Sequence, residues 1–144
     1  MGVDMNFFIK IKKDDKYIDL PLYDREGDPV SIAYCGWALF DKIKEVLCAT
    51  SFEEMKEYVN HYYRDLEEDD YTGITAYETS LTYLMYLAEK RKNEPAKTLF
   101  DEEDEINISR FYTEIINSIN VMLNLAGEYY IHPDNVKIIM LATY

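Results

Sequence analysis

The sequence predicts a single α+β domain in which about four helices pack with a small antiparallel sheet. Three observations support this class. Residues 107–127 have a helical apolar stripe, residues 5–22 have the pattern of a β-hairpin, and residues 136–144 form a nearly continuous apolar run. A chain of 144 residues can bury a core without disulfides. We find no internal repeat and no boundary of a second domain, so residues 1–144 are treated as one unit.

The longest predicted helix spans Asn107 to Gly127. Its apolar residues recur at spacings of three and four, and only a period near 3.6 places them on one face. The stripe consists of Phe111, Ile115, Ile119, Met122 and Ala126. Gly127 supplies the left-handed residue that commonly ends a helix. The rest of the chain is expected to pack around this helix.

The predicted sheet combines the two ends of the chain. Residues 5–13 alternate between apolar and polar side chains as in a half-buried strand, residues 14–16 form a turn, and residues 17–22 continue as a second strand. The run Val136–Tyr144 is rich in β-branched residues and predicts a buried strand that pairs with this hairpin. A short strand is expected at residues 128–131. The sheet is also the expected surface for pairing of two copies as a homodimer.

Three further helices are predicted between these ends. The first runs from Pro29 to about Cys48, and the next two start at capping boxes, in which a Ser or Thr is followed three residues later by Glu. The boxes are Ser51 with Glu54 and Thr75 with Glu78. The second helix should turn its face of Phe52, Met55, Val59, Tyr62 and Leu66 inward. Residues 93–105 are expected to be a linker.

The two cysteines predict a reducing compartment. Cys35 and Cys48 fall thirteen residues apart on the first predicted helix, a separation of about 20 Å that a disulfide cannot bridge. They are therefore expected to be reduced core thiols of a cytoplasmic protein. No apolar stretch is long enough to cross a membrane, and no secretory signal is recognisable.

The strongest functional signal is the distribution of charge. The chain has 28 acidic and 15 basic residues and a formal net charge of −13. This charge disfavours direct binding to nucleic acid or to anionic membranes and favours a basic protein surface as the partner. Residues 51–70 contain eight acids against Lys56 and Arg64, a balance of −6, and residues 101–105 add −5. Acids along one helix ridge lie about 5–6 Å apart, a spacing similar to that of phosphates along one nucleic-acid strand.

Tyrosine is the second unusual feature, with fourteen residues in the chain. Tyrosine is enriched at interfaces, and its ring next to a carboxylate suits arginine and lysine side chains, although some tyrosines must fill the core. The predicted partner-binding residues are Glu53, Glu57, Asp65, Glu67, Glu68, Asp69, Asp70, Asp101, Glu102, Glu103, Asp104, Glu105, Tyr58 and Tyr63.

The sequence contains none of the common catalytic, phosphate-binding or zinc-binding motifs, so we expect a protein that is not an enzyme and needs no cofactor or metal. One set of helix residues supports a competing interpretation of the function. Glu57, His61 and Asp65 are spaced by four residues and share a helix face, where they could hold a divalent metal ion of a metal-dependent enzyme. The simpler interpretation is a solvated histidine among acids.

These observations favour a non-catalytic acidic binding protein that blocks or neutralises a basic partner. Inhibitors, immunity proteins, anti-defence proteins of phages or mobile elements, and nucleic-acid mimics belong to this class. The main alternative is a structural or assembly protein of a phage or mobile element. The metal-dependent enzyme is the third hypothesis.

Overall fold

An antiparallel sheet carries helices on both of its faces in the computed structural model, which describes residues 2–20, 33–36, 44–63, 71–90, 95–97 and 105–143. The strands are β1 (Gly2–Lys13), β2 (Lys16–Asp19), β3 (Ala33–Gly36), β4 (Ile74–Ser80), β5 (Pro95–Lys97), β6 (Glu105–Asn107) and β7 (Val136–Thr143). The helices are α1 (Phe52–Tyr62), α2 (Leu81–Lys90) and α3 (Ile108–Leu125), and a 3-10 turn at Pro133–Asn135 leads into β7. The alpha+beta class predicted from the sequence is confirmed.

The centre of the sheet is the trio β1, β7 and β4, all antiparallel to their neighbours. Strand β7 lies in the middle, where the register aligns Phe8 and Glu78 on either side of Ile139. The other edge of β1 is shared, because β2 pairs with its last residues and β3 with its first residues. Strands β5 and β6 form a separate two-stranded pair that leads into α3.

Strand β7 is buried on both sides, which places it at the centre of the protein. Ile138 and Ile139 are each fully buried although successive strand residues point to opposite faces. Ile138 belongs to a cluster with Leu84 of α2 and Ile119 of α3. Ile139 belongs to a second cluster with Val59 of α1. The sheet is therefore the middle layer between α1 on one face and the α2–α3 pair on the other.

Several sequence predictions are confirmed. The predicted hairpin is β1 and β2, with the turn residues Asp14 and Asp15 at positive φ, and the apolar run near the chain's end is β7 paired with β1. The long helix is α3, whose residues Ile115 and Ile119 are fully buried. Gly127 has φ +78, as expected for the residue that follows a helix end. Phe8, on the side of β1 predicted to be polar, is buried as well, because α1 covers that face.

The second capping box is the clearest wrong prediction. Thr75 and Glu78 lie in β4, and the helix begins only at Leu81. Its actual cap is Ser80, whose Oγ accepts a hydrogen bond from the backbone N–H of Tyr83 at 3.1 Å. Seven residues of β4 pair with β7, and this non-local ladder outweighs a local capping pattern.

The predicted helix from Pro29 to Cys48 is wrong for residues 33–36 and 45–48, whereas Lys44 is helical. Ala33–Gly36 is strand β3, paired with Gly2–Met5, residues 45–47 form a turn and a bend, and Cys48 is irregular. The backbone of β1 forms hydrogen bonds with residues 33–36. This pairing between distant residues overrides the helical periodicity. Cys35 thus lies in a strand, and Cys48 is an exposed free thiol instead of a core residue. The other residues of this prediction lie outside the described part of the chain.

Smaller differences concern the connections. Residues 128–131 are turn and irregular backbone instead of a strand, and the predicted linker 93–105 contains β5 and the start of β6. The described residues contain three α-helices, one fewer than the approximate number predicted. Helices cover both faces of the central strand β7, and pairing of two copies through the sheet stays a prediction.

Candidate partner-binding surface

Helix α1 is fixed at its start and along its inner side. The Oγ of Ser51 accepts a hydrogen bond from the backbone N–H of Glu54 at 3.2 Å, which confirms the first capping box. Met55 and Val59 are buried against the sheet, four residues apart on one helix face. Phe52, predicted to face inward, is instead 58% exposed. The helix therefore presents a firmly held outer surface.

Three carboxylates lie on that outer surface. Glu53, Glu54 and Glu57 are all exposed, and the structure gives none of them an ion-pair partner among residues 44–63 or elsewhere in the described chain. Glu53 and Glu54 lie in the first turn, where the positive end of the helix dipole stabilises negative charge. These carboxylates therefore face water without an ion-pair partner within the described ranges.

The inner side of α1 is secured by a charged cluster around Asp19. The Nε2 of His61 lies 2.5 Å from one oxygen of Asp19, and the hydroxyl of Tyr62 donates to the other at 2.9 Å. Lys10 lies 3.7 Å from the same carboxylate. Partial burial acts to raise the pKa of Asp19, but the hydrogen bonds from His61 and Tyr62 and the charge of Lys10 outweigh it and lower the pKa below 3.8.

A second charged cluster surrounds Glu78 of β4. Its carboxylate accepts a hydrogen bond from the hydroxyl of Tyr58 and pairs with Lys137 at 3.2 Å. Partial burial acts to raise the pKa of Glu78, but Tyr58, Lys137 and the charge of Lys10 together hold it below 4.5. The pKa of Tyr58 is raised above 10.0 by partial burial, by its bond to Glu78 and by nearby carboxylates. Tyr58 therefore remains a neutral donor to Glu78.

Aromatic contacts also hold the sheet-facing side of α1 against β1. The rings of Phe8 and Tyr62 are stacked with centroids 3.7 Å apart, and Tyr63 meets Phe8 edge-on at 6.0 Å. The amide of Asn6 donates to the hydroxyl of Tyr63 at 2.5 Å. Burial raises the pKa of Tyr63, although the bond from Asn6 opposes this. The C-terminal end of α1 is thereby attached to β1.

The structure places the predicted partner-binding residues in three groups. Glu53 and Glu57 are exposed together on α1, whereas Tyr58 and Tyr63 are partly buried and bonded to Glu78 and Asn6. Glu105 is the first residue of β6. The other predicted residues lie outside the described part of the chain, namely Asp65, Glu67, Glu68, Asp69, Asp70, Asp101, Glu102, Glu103 and Asp104.

The residues that flank the acidic run 65–70 are nevertheless described. Tyr63 follows α1 directly and contacts Phe8, and Tyr71 donates a hydrogen bond to the side chain of Asn60 at 2.5 Å. Tyr71 also lies edge-on to Phe52 at 6.5 Å. Tyr63 is therefore held against β1, and Tyr71 is held against α1, the helix that carries Glu53 and Glu57.

The proposed metal stripe is described only at Glu57 and His61, which both lie on α1. His61 bonds to Asp19 of β2, a contact between elements that helix spacing could not reveal. Within the described ranges, no group of three or more His, Cys, Asp or Glu side chains is arranged to hold a metal ion. Asp65, the third member of the stripe, lies outside those ranges.

Sequence reasoning missed the four residues that anchor α1 to the sheet, namely Lys10, Asp19, Glu78 and Lys137. Charged side chains inside otherwise apolar strands were a usable signal, since such residues are rarely buried without a partner. The pairing itself depends on the strand register, which places Lys10 opposite both Asp19 and Lys137.

Comparisons of the chain with protein-family models, with curated proteins and with solved structures gave no match. In the part of the chain that the structure describes, no helix is long and apolar enough to cross a membrane. The functional interpretation therefore rests on the residues of this chain alone.

Proposed function

We propose that this protein is a non-catalytic acidic binding protein that blocks or neutralises a basic partner. The observation that carries the proposal is the outer surface of α1, where Glu53, Glu54 and Glu57 are exposed without an ion-pair partner in the described chain. Three described lysines, Lys10, Lys13 and Lys137, pair with carboxylates away from this surface. The negative charge that remains at α1 is therefore not cancelled by these lysines.

The acidic run 65–70 adds negative charge close to α1 in the sequence. It contains five carboxylates and lies between Tyr63, the residue that follows α1, and Tyr71, which bonds to Asn60 of α1. Charge gathered along one helix would attract a positively charged cleft and accelerate its association. Acidic inhibitors, immunity proteins, anti-defence proteins and mimics of a phosphate backbone are the classes that such a surface would fit.

A capture experiment tests the proposal. The purified protein is immobilised and exposed to a lysate of its source cells at low salt, where charge pairing is strongest, and bound protein is eluted with increasing salt. The triple variant Glu53→Gln, Glu54→Gln and Glu57→Gln should lose the captured partner. Gln retains the capping box at position 54, so the helix start should survive.

The matched control is the triple variant Asp4→Asn, Asp14→Asn and Asp15→Asn. It changes the net charge by the same amount, but its exposed residues lie on β1 and the β1–β2 turn. It should retain the partner. Equal loss in both variants would show that only net charge matters, and an empty capture at low salt would contradict the proposal.

A structural or assembly protein is the second candidate, and an exposed apolar strip favours it. Val121 and Leu125 lie four residues apart on α3 and are 57% and 77% exposed, and Tyr129 and Tyr130 beyond the helix are 67% and 100% exposed. Exposed apolar side chains gathered in one stretch often mark an interface. Light scattering tests this candidate: a stable higher oligomer that Leu125→Ser reduces to monomers would favour assembly.

A further inference from the structure

Two aromatic rings, one at the start of α1 and one beyond its end in the sequence, hold a cation between them. The rings of Phe52 and Tyr71 meet edge-on with centroids 6.5 Å apart, at an angle of 73°. The Nζ of Lys56 lies 5.5 Å from the centre of the Phe52 ring and 5.1 Å from that of Tyr71. Both distances are within the range of cation–π attraction. We call these two rings the aromatic corner.

The aromatic corner is held in place and open to a partner. Tyr71 is only 8% exposed, and its hydroxyl donates to Asn60 at 2.5 Å, so its ring has a fixed orientation. Phe52, by contrast, is 58% exposed at the first residue of α1. An incoming side chain can therefore reach the corner without any rearrangement of the core, which keeps the cost of binding low.

The charge around the aromatic corner favours a cation. Glu53 and Glu57 lie one residue beyond Phe52 and Lys56 on the same helix, and both are exposed. The positive end of the helix dipole opposes a cation at this position, but Glu53 and Glu54 in the first turn offset it. Lys56 is the only lysine or arginine of α1, so it is the competitor that a partner's cation would meet.

We propose that the aromatic corner is the binding site of an arginine side chain of the basic partner, which takes the place of the Lys56 ammonium. This inference rests on the proposed function and identifies where the partner is recognised. Arginine fits better than lysine because its planar guanidinium stacks on a ring and can bond a carboxylate through two N–H groups at once. Glu53 and Glu57, each next in the sequence to a residue of this site, are exposed carboxylates that could accept that bond from a long arginine side chain.

The test measures binding of a fluorescein-labelled peptide of eight arginines by anisotropy at low salt. Lys56→Gln removes the internal competitor and should bind the peptide more tightly than the wild type. The matched control is Lys90→Gln on α2, where Lys90 lies 5.6 Å from the ring of Tyr86. It removes the same charge and the same type of contact from a single ring. Lys56→Gln should exceed this control by about threefold in affinity.

A second variant isolates the contribution of the rings. Phe52→Leu keeps an apolar side chain at an exposed position, so folding should be unaffected, but it removes one ring of the aromatic corner. In the Lys56→Gln background it should abolish the gain in affinity. An octalysine peptide, whose charge is equal but whose cations are not planar, should show a smaller gain from Lys56→Gln.

The outcomes separate this inference from the proposed function. If every variant binds the arginine peptide in a salt-dependent manner but Lys56→Gln gains no more than Lys90→Gln, the aromatic corner is refuted while an acidic binding surface stands. The aromatic corner is refuted equally if Phe52→Leu leaves the gain intact. If no variant binds either peptide at low salt, both the inference and the proposed function fail.

Discussion

Lys10 of β1 lies directly opposite Lys137 of β7, so two positive charges face each other across the centre of the sheet. Like charges in this position destabilise a strand pair. Here each lysine has its own carboxylate, since Asp19 lies 3.7 Å from Lys10 and Glu78 lies 3.2 Å from Lys137. The same carboxylates bond to Tyr62 and Tyr58 of α1, so the charges that relieve the lysine pair also hold the helix.

Removing one of these carboxylates should destabilise the fold. Glu78→Gln removes the charge that pairs with Lys137 and weakens the bond from Tyr58, while Lys10 and Lys137 remain face to face. We expect the free energy of unfolding, measured with urea, to fall by about 1 kcal/mol, because the site is partly exposed and solvent screens the charges.

The control for that measurement is Glu53→Gln, an exposed carboxylate without an ion-pair partner in the described chain. It should change the unfolding free energy by no more than about 0.5 kcal/mol. If the two variants were equally stable, Glu78 would have no role in holding α1 to the sheet.

Stability should fall in acid because of the same two carboxylates. The pKa values of Asp19 and Glu78 are lowered in the folded protein, so in acid the unfolded chain binds protons at these groups first. Their stabilisation is present above the ordinary values of 3.8 and 4.5 and is lost as the pH falls through the lower folded values. Urea midpoints measured from neutral pH downward should show this decline.

Variants identify the source of the pH dependence. Asp19→Asn with Glu78→Gln should be less stable at neutral pH and should show a flatter decline in acid. Asp14→Asn with Asp15→Asn removes two carboxylates from the exposed β1–β2 turn and should retain the wild-type slope. A decline that is unchanged in the first pair would assign acid sensitivity to other groups.

The two faces of β7 should be equally sensitive to truncation. Ile138 packs towards α2 and α3, Ile139 packs towards α1, and both are fully buried. Ile138→Ala and Ile139→Ala should each lower the unfolding free energy by about 3 kcal/mol, because each leaves a cavity in a packed layer. Ile18→Ala on β2, where the side chain is 46% exposed, should cost far less. A mild effect of Ile139→Ala alone would mean that α1 does not cover its face.

The two observed helix caps give a fourth prediction. Ser51→Ala and Ser80→Ala each remove a side-chain acceptor of a backbone N–H at a helix start, and each should cost about 1 kcal/mol in thermal or urea unfolding. Ser118→Ala inside α3 is the comparison, since alanine favours a helix interior and the change should be neutral or slightly stabilising. If Ser80→Ala proved neutral, α2 would not depend on the cap seen here.

The two capping boxes show how far local patterns can be trusted in this chain. The pattern at Ser51 marks a true helix start, whereas the same pattern at Thr75 lies in a strand. The difference is that residues 74–80 meet β7 along its length, a partner that is 57 to 69 residues away in the sequence. No window around Thr75 contains that information. The same reason explains why residues 33–36 form a strand.

Only part of the candidate site could be predicted from the sequence. The exposed acids of α1 were predicted from the sequence, because a helix with a buried stripe at Met55 and Val59 must turn Glu53 and Glu57 outward. The contact of Tyr71 with Phe52 and Lys56 could not be predicted, since the chain returns to α1 only after the acidic run.

The sequence by itself determined the features that depend on neighbouring residues: the α+β class, the long helix α3, the β1–β2 hairpin and the acidic outer surface of α1. Periodicity and charge reside in short stretches, so they can be recognised locally. Only the tertiary structure decided that β7 is the central strand, that residues 74–80 belong to the sheet, and that Asp19 and Glu78 anchor α1. Those choices depend on which distant strands share hydrogen bonds, and that free energy is gained only when the whole chain is folded.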